Sequence, residues 1–521
     1  MSAAAPFPDP SLKSLMKWFL LVLVARLVVM FLVVQGADLA GDEAYYWDWG
    51  RRPDWGYFSK PPMIGWMMGV IGWLTGNAEW GIRLTALLLG GATLWLIWRL
   101  TRDLFDGSTA FLAALLIVLT PGNAGLSLLL TIDAPLLLAW TLALWLYWRA
   151  AEKPDSWPRW LLLALAIGFG CLSKQMMLVF PALMLAFAAI SHQDRALLRN
   201  PRFWMACVIG MAFIIPVLKW NQEHGWITLE HTKHHFDTQS MSWSRWLSRV
   251  GENVGMQALI YTPVLFVALV VVLWRSFRGF RGLTRSQCYL WVFAGPVLAI
   301  FVVLALRQRI NPNWPAAFFV PAIILTAAWL LRAENAAWKR WSLRIAAGIA
   351  LIVHLALVIV MTTQLKTINK VASLRGWREV GIQADAWLQK MPRRENTFVL
   401  PLGHRYHAAW MAFTCPAIRA PTAGSPAAPL SPNMRYGQAR RSTSGMTHSS
   451  SCRWRIGMEI SRQSSQPTSP ESNASAPSAC RSAQRNASSP SIAVKSYKPG
   501  KPFAHNDRCI LGHRAPTAPQ S

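Results

Sequence analysis

Apolar stretches alternate with short polar connections over roughly the first 360 residues of the chain. A helix of about 20 apolar residues is long enough to cross the hydrocarbon core of a bilayer, and the pattern predicts about eleven such spans. We place them near residues 15–35, 82–99, 109–130, 132–148, 160–173, 175–190, 203–220, 256–274, 287–306, 314–331 and 342–362. The pattern therefore predicts an all-α polytopic membrane protein.

Two of the apolar stretches need a separate interpretation. The first, residues 15–34, is too long for the apolar part of a signal peptide, lacks a small-residue cleavage site and precedes many further spans. We expect a retained first helix there. Residues 61–75 are apolar but short and rich in glycine, so we expect a helix lying at the membrane interface rather than a span.

The positive charge of the chain is concentrated in alternate connections. A net charge of +28 suggests nucleic acid at first, but most bases lie in short loops between predicted spans. These bases are Lys13 and Lys17; Arg99 and Arg102; Arg149, Lys153 and Arg159; Arg195, Arg199 and Arg202; Arg275, Arg278, Arg281 and Arg285; and Arg332, Lys339, Arg340 and Arg344. Cytoplasmic loops of membrane proteins carry such an excess of Lys and Arg. We therefore expect a cytoplasmic N-terminus, anionic membrane lipid as a partner, and no nucleic acid.

The same topology places residues 41–62, 221–255 and everything after about 363 outside. Residues 377–388 have the periodicity of an amphipathic helix, and 396–401 that of a strand. We interpret 1–362 as the membrane module, with 36–81 as its first outer loop, and 363–414 as the remnant of an extracytoplasmic domain. Residues 415–521 are rich in Ser, Pro, Ala and Arg and are predicted to be disordered. A genuine basic tail and a frameshifted end are both open interpretations.

Metal-binding patterns are weak in this sequence. The seven cysteines form no CxxC pair, so neither a zinc site nor a disulfide framework is supported. His231, His234 and His235 lie close together in LEHTKHHFD, but their spacing matches no regular metal motif. We favour a surface loop there and keep the three histidines as weak metal candidates.

The segment GDEAYYWDWGRRPDWGYFSKPP, residues 41–62, concentrates charge and aromatic rings directly after the first span. Asp42 and Glu43 lie near the outer membrane face, where adjacent carboxylates can take a proton from an acceptor or bind a divalent cation. The alternative is a pair of solvated acids at a helix start. Lys60 precedes two prolines that restrict the backbone, and could hold a phosphate as a point charge. The alternative is an interfacial lysine that reaches toward water.

Further polar groups lie at the outer ends of later spans. Asp133, in TIDAPLLLAW, can cap a helix or face the site opened by the first loop. Lys174, in LSKQ, can anchor a helix end or contact an anionic headgroup. Arg307, Arg309 and Asn313, in RQRINPNW, can contact a lipid-linked phosphate or sugar, or anchor the next helix.

Several segments, in order and spacing, resemble the family 39 glycosyltransferases of the GT-C superfamily. They are DEAYYWDW from residue 42, DWGYFSKPPMIGW from 54, EWGIRLTALLLGGATLWLIWRLTRDLFDG from 79, TIDAPLLLAW from 131, LSKQMML from 172, NWPA from 313 and RGWREV from 375. The family includes dolichyl-phosphate-mannose protein mannosyltransferases and the aminoarabinose transferases of lipid A. The resemblance is strong over about residues 10–190 and weaker to about 380.

The resemblance implies a GT-C transmembrane bundle that transfers a sugar from a polyprenyl-phosphate donor at the outer membrane face, with inversion. It implies catalytic carboxylates at Asp42, Glu43 and Asp133. Lys60 is the implied phosphate contact, to which we add Lys174, Arg307 and Arg309. We expect Tyr45, Tyr57 and Asn313 to contact substrate. A metal requirement stays open, with Glu43 as a further weak ligand candidate.

The implied setting is the inner membrane of a bacterium, with the site and the C-terminus extracytoplasmic. Envelope protein, lipid A, another glycan or a lipid are all open as acceptors, and the sugar is also open. The family commonly carries an outer soluble domain, which is replaced here by the Ser-rich end. A transporter or lipid flippase is the alternative function, but transporters place their charges near the bilayer midplane, often in repeated halves. A noncatalytic scaffold would not need these acids and lysines in this order.

Overall fold

The computed structural model describes residues 12–236, 243–332, 336–362, 375–391, 397–401, 404–419 and 492–496. The chain divides into two compact units, Met1–Arg375 and Gly376–Ser521. The end of the membrane module was predicted near residue 362, whereas the two units divide after Arg375. Residues 363–374 lie outside the described ranges.

All the regular secondary structure described in the first unit is helical. Its helices are α1 Leu12–Gly36, α2 Gly41–Gly50, α3 Met63–Thr75, α4 Glu79–Leu104, α5 Gly107–Leu119, α6 Pro121–Leu126, α7 Asp133–Glu152, α8 Trp157–Ser173, α9 Val179–Ile190, α10 Pro201–Ala212, α11 Ile215–Glu223, α12 Ile227–Phe236, α13 Trp243–Tyr261, α14 Pro263–Arg278, α15 Arg285–Val292, α16 Gly295–Ala305, α17 Ala316–Arg332 and α18 Ala336–Thr362. Short 3₁₀ helices occupy Gln175–Leu178, Arg195–Arg199 and Phe280–Gly282.

The predicted count of eleven spans is not confirmed. Among the described residues, three helical stretches are long and apolar enough to cross a membrane: Glu79–Leu104, Pro201–Glu223 and Arg285–Ala305. A fourth is formed if Trp246–Tyr261 and Pro263–Arg278 count as one bent span. Several other predicted spans are apolar helices of 10–17 residues, and so is Met63–Thr75, where an interfacial helix rather than a span was expected.

Helix breaks explain part of this difference. The predicted span 109–130 ends at Leu119, because the Thr120 hydroxyl caps a new helix by accepting a hydrogen bond from the amide of Asn123 (3.3 Å). Pro121 occupies the first position of that new helix, where its missing N–H costs nothing. The predicted span 256–274 is broken at Thr262, and the two halves meet at 109°.

An aromatic core surrounds α7 and fixes its position. Trp140 contacts Phe180 and Phe318 edge-to-face, with ring centroids 5.0 and 4.9 Å apart. The Tyr147 hydroxyl donates to the carbonyl of Met184 (3.0 Å), and the Tyr289 hydroxyl donates to that of Leu144 (2.7 Å). Paired aromatic rings add specific geometry to apolar burial. The helix that begins at Asp133 is therefore held by neighbours on several sides.

The C-terminal end of α7 carries a separate ionic cluster. Arg285 donates to both carboxylate oxygens of Asp194 (2.7–3.2 Å), and its guanidinium lies 4.1 Å from the ring centroid of Trp148. This end is rich in the bases that are predicted to be cytoplasmic. Asp133 lies at the other end of α7, about 22 Å away along the helix axis.

The second unit contains the helix Trp377–Gln389, the strand Thr397–Pro401, the helices Arg405–Thr414 and Pro416–Arg419, and the strand Ile492–Ser496. The two strands pair antiparallel, which departs from the all-α prediction. The helix and strand predicted near 377–388 and 396–401 are confirmed. Trp377 stacks on Trp410 at 4.4 Å. Of the predicted disordered segment, residues 420–491 and 497–521 lie outside the described ranges, and its frameshifted origin stays a prediction.

Candidate functional site

Glu43 ties the first outer loop to the rest of the bundle. One carboxylate oxygen accepts from the amide of Ala40 (3.0 Å), which caps the start of α2. The other oxygen accepts from the amide of Leu130 (3.0 Å), 87 residues away along the chain. The side chain is fully buried, and both of its oxygens are used within the protein.

Arg83 balances the charge of Glu43. Its guanidinium lies 3.8 Å from the Glu43 carboxylate and donates to the carbonyls of Asp38 (3.1 Å) and Leu128 (3.4 Å). A charge buried without a partner is costly, so this part of the fold depends on Glu43 and Arg83 being present together. Arg83 is not among the site residues predicted from the sequence. An arginine followed by a run of fifteen uncharged residues in the same helix was the signal that could have found it.

The Glu43 contact brings the two candidate carboxylates Asp42 and Asp133 into one region. Asp42 precedes Glu43 and is half-buried at the start of α2. Asp133 follows Leu130 by three residues and opens α7. The N-terminal ends of α2 and α7 therefore meet at one end of the bundle.

Asp133 is the centre of a buried polar cluster. One carboxylate oxygen accepts from the Lys174 ammonium (2.8 Å), and the other accepts from the Asn313 amide nitrogen (2.6 Å). Asp133 and Lys174 are both buried. Asp133 was expected either to cap a helix or to face the site opened by the first loop. Its carboxylate makes the tertiary contacts and forms no side-chain cap. The predicted phosphate contact by Lys174 stays a prediction, and its ammonium is paired with Asp133 in this structure.

Tyr57 organises the second half of the first loop. Its hydroxyl accepts from the amide of Asp54 (3.1 Å) and lies 3.2 Å from the carbonyl oxygens of Trp49 and Arg52. Its ring stacks on Trp49 with centroids 4.6 Å apart. Burial raises the pKa of the phenol to about 12. Tyr57 is therefore a neutral hydrogen-bonding group at physiological pH, and it is buried rather than open to a ligand.

Other contacts hold this loop against α11 and α12. The Trp220 indole donates to the Asp54 carboxylate (2.7 Å), and the Thr228 hydroxyl donates to the carbonyl of Tyr57 (2.9 Å). The amide of Tyr57 donates to the carbonyl of Lys60 (3.1 Å) and closes a turn. Lys60 is half-buried within this turn. The expected phosphate contact is thus carried on an anchored segment.

The remaining predicted site residues lie on α2, on α12 and on the connection between α16 and α17. Tyr45 is half-buried, with its ring 4.6 Å from Trp49. Arg307 and Arg309 are exposed on the connection between α16 and α17, which also carries Asn313. The His231 ring lies 4.8 Å from that of Phe58. The side chains of His234 and His235 lie outside the described residues.

No group of three metal-ligating side chains converges within the described ranges. Glu43 is committed to Arg83 and two backbone amides, which is a structural arrangement rather than a ligand shell.

Comparison with known proteins is consistent with this architecture. Residues 59–220 match the model of the family described as dolichyl-phosphate-mannose-protein mannosyltransferase. The chain is 28% identical over 339 residues to a lipid A galacturonosyltransferase of Rhizobium johnstonii, an alignment that covers 63% of this chain and 68% of the relative. It is 27% identical over 136 residues to a putative mannosyltransferase of Bacillus subtilis, covering 26% of this chain and 20% of that one.

A solved structure extends the similarity beyond the family match. The crystal structure of ArnT from Cupriavidus metallidurans bound to undecaprenyl phosphate superposes with a TM-score of 0.52, covering 76% of this chain and 75% of that one. At 20% sequence identity the likeness shows the fold. In sequence and in fold the chain is thus similar to membrane-bound sugar transferases. The ends of α2 and α7 are its candidate functional site.

Proposed function

We propose that the chain transfers a sugar from a polyprenyl-phosphate donor to an envelope acceptor at the outer face of the bacterial inner membrane. The observation that carries this proposal is the Glu43–Leu130 hydrogen bond, which holds the starts of α2 and α7 together. Two candidate acids, Asp42 and Asp133, thereby lie at the end of α7 opposite the Arg285 cluster. The proposed topology, with a cytoplasmic N-terminus, places that end outside.

In the proposed reaction, the acceptor oxygen or nitrogen attacks the anomeric carbon of the donor sugar. The bond from that carbon to the phosphate oxygen breaks, polyprenyl phosphate leaves, and the anomeric configuration inverts. Asp42 takes the proton from the acceptor, since it is a half-buried carboxylate beside the anchored end of α2. Glu43 and Arg83 act as positioning residues, because their charged atoms are already committed to one another and to backbone groups.

The leaving phosphate needs positive charge around it. Lys60, Arg307 and Arg309 supply such charge from the two connections that flank the site. Lys174 and Asn313 hold the Asp133 carboxylate in place. The charge on Asp133 is thereby partly neutralised, which reduces repulsion between this acid and a phosphate.

The relatives support a lipid-linked donor. The ArnT structure is named as bound to undecaprenyl phosphate, and the matching family is described by its dolichyl-phosphate-mannose donor. The Rhizobium relative is named for galacturonate and lipid A. Galacturonate and mannose on a polyprenyl phosphate are therefore the first donors to test, with lipid A as the first acceptor.

Release of the carrier lipid tests this function against the transporter alternative. The full chain in proteoliposomes is incubated with polyprenyl-phosphate galacturonate or mannose and with lipid A, and the lipids are analysed by mass spectrometry. Transfer produces free polyprenyl phosphate and lipid A heavier by one sugar. A flippase moves the donor between leaflets without splitting it, so translocation of intact donor with no mass change would refute the proposal.

A further inference from the structure

The connection between α16 and α17 runs along one face of α13. Arg249 donates to the carbonyl of Arg307 (3.2 Å), and Gln257 donates to the carbonyl of Pro312 (3.0 Å). Arg249, Asn253 and Gln257 are spaced by four residues and therefore lie on the same helix face. The segment 307–312 thus passes Asn253, and it carries Gln308 within it.

Several buried polar atoms in this region have no hydrogen-bond partner within the described part of the chain. They are Asn253 Oδ1, Gln257 Oε1, Thr262 Oγ1, and both Oε1 and Nε2 of Gln308. The four side chains are from 1% to 9% exposed. Buried polar atoms in proteins are nearly always hydrogen-bonded, so a group of them indicates a place where a polar ligand binds.

This group of four residues, which we call the amide cluster, adjoins the Asp133 site. Asn313 directly follows Pro312, whose carbonyl is bonded to Gln257, and its side chain donates to Asp133 (2.6 Å). The amide cluster is therefore connected to the proposed reaction centre through the segment 307–313.

We propose that the amide cluster binds the sugar ring of the lipid-linked donor and distinguishes the donor from the sugar-free carrier lipid. This inference rests on the proposed function and assigns residues to the sugar half of the substrate. The site residues predicted from the sequence do not include Asn253, Gln257, Thr262 or Gln308.

The chemistry of the unpartnered atoms favours a sugar over a phosphate. Three of them, the amide oxygens of Asn253, Gln257 and Gln308, only accept hydrogen bonds. An ionised phosphate also mainly accepts, so it would face like partners there. A sugar hydroxyl both donates and accepts, and it can satisfy the amide oxygens together with the Gln308 nitrogen and the Thr262 hydroxyl. None of the four side chains carries a charge.

The backbone at the cluster is also unusual. Thr262 has φ +62° at the break between α13 and α14, a conformation that β-branched residues rarely adopt. Such strained residues persist where the surrounding structure holds them and are often found at ligand sites. The break leaves the Thr262 hydroxyl inside the protein, beside the end of α13.

A binding experiment separates this inference from the transfer reaction. The full chain in nanodiscs is titrated with undecaprenyl phosphate and with undecaprenyl-phosphate mannose or galacturonate, and the Kd values are compared. The wild type is expected to bind at least one of the sugar-bearing lipids more tightly than the bare lipid. Asn253→Leu and Gln308→Met remove hydrogen-bonding atoms with little change of size, and each is expected to reduce that preference about tenfold. Binding of undecaprenyl phosphate alone should not change.

Thr141→Val is the matched control. Its hydroxyl is also buried without a described partner, but it lies on α7 about 12 Å from Asp133 along the helix axis. The control should keep the full preference for the sugar-bearing lipid.

The inference is overturned if the wild type shows no preference for any sugar-bearing lipid, or if both amide variants retain it, as expected when the cluster binds only water. Equal weakening of all lipids with a lowered unfolding midpoint would show a purely structural role and would also overturn it. Failure of the proposed function has a different signature, namely intact donor in the mass-spectrometric transfer assay whatever the Kd values.

Discussion

The Lys174 ammonium lies 2.8 Å from a carboxylate oxygen of Asp133, and both side chains are buried. Removing one member of such a pair leaves an uncompensated buried charge, which typically costs about 3–5 kcal/mol. We expect Lys174→Met to lower the free energy of unfolding by that amount. The double variant with Asp133→Asn should recover part of the loss, because no charge is then left unpaired. Denaturant unfolding in detergent measures each value.

An exposed pair provides the control for this prediction. Lys219 and Glu223 are 4.0 Å apart, with their side chains 76% and 58% exposed. Surface pairs of this kind contribute about 0–1 kcal/mol. Lys219→Met should therefore leave the unfolding midpoint nearly unchanged. A midpoint for Lys174→Met equal to that of Lys219→Met would show that the buried pair does not hold the site.

The packing of Tyr57 on α3 gives a second prediction. A Cβ at Gly65 would lie 2.6 Å from the Tyr57 ring, which is held by stacking on Trp49 and by its hydroxyl contacts. Forcing extra volume into such a contact costs about 1–3 kcal/mol. We expect Gly65→Ala to destabilise the protein by that amount and to raise the protease sensitivity of the first outer loop.

Gly91 in α4 is the matched site, because a Cβ there would meet no atom within 4 Å. Alanine is favoured over glycine in a helix interior by about 1 kcal/mol, so Gly91→Ala should be neutral or stabilising. If the two alanine variants shift the unfolding midpoint in the same direction, the tight Gly65–Tyr57 contact is not as described.

The raised pKa of Tyr57 predicts a specific alkaline behaviour. Burial raises it from 10 to about 12, so the folded state favours the neutral phenol. This contribution to stability is fully present below pH 10 and is lost as the pH rises from about 10 to about 12. Tyr57→Phe, which has no ionisable group there, should lose less stability over that window. The pH dependence of the unfolding midpoint measures the difference, and parallel curves for the two proteins would contradict it.

The sequence predicted the local elements better than the long-range contacts. The helix Trp377–Gln389 follows from apolar residues at helical spacing, and the strand Thr397–Pro401 from its extended pattern. The break at Thr120 lies at the sequence Thr-Pro-Gly-Asn, but apolar residues resume after it, so the predicted span ran on to residue 130.

The site residues were predicted as separate candidates, but their partners were not. Lys174 was expected to contact phosphate, yet its ammonium pairs with Asp133, 41 residues earlier. Asn313 reaches the same carboxylate from 180 residues away. Periodicity and spacing report which residues share a helix face, but they do not report which helix ends meet. The link from Glu43 to Leu130 therefore required the folded structure.

The most direct test of the account is the sugar-transfer rate of Asp42→Asn. The variant keeps the size of the side chain but removes the base proposed to take the acceptor proton, a role worth about 10²–10⁴-fold in rate. Asp106→Asn is the matched control, because Asp106 caps α5 by accepting from the amide of Thr109 (2.7 Å) and asparagine caps equally well. Transfer from polyprenyl-phosphate donor is measured in proteoliposomes that contain equal amounts of each folded protein. The account predicts a loss of kcat/KM of at least about 100-fold for Asp42→Asn and wild-type values for Asp106→Asn. Wild-type transfer by Asp42→Asn would contradict it.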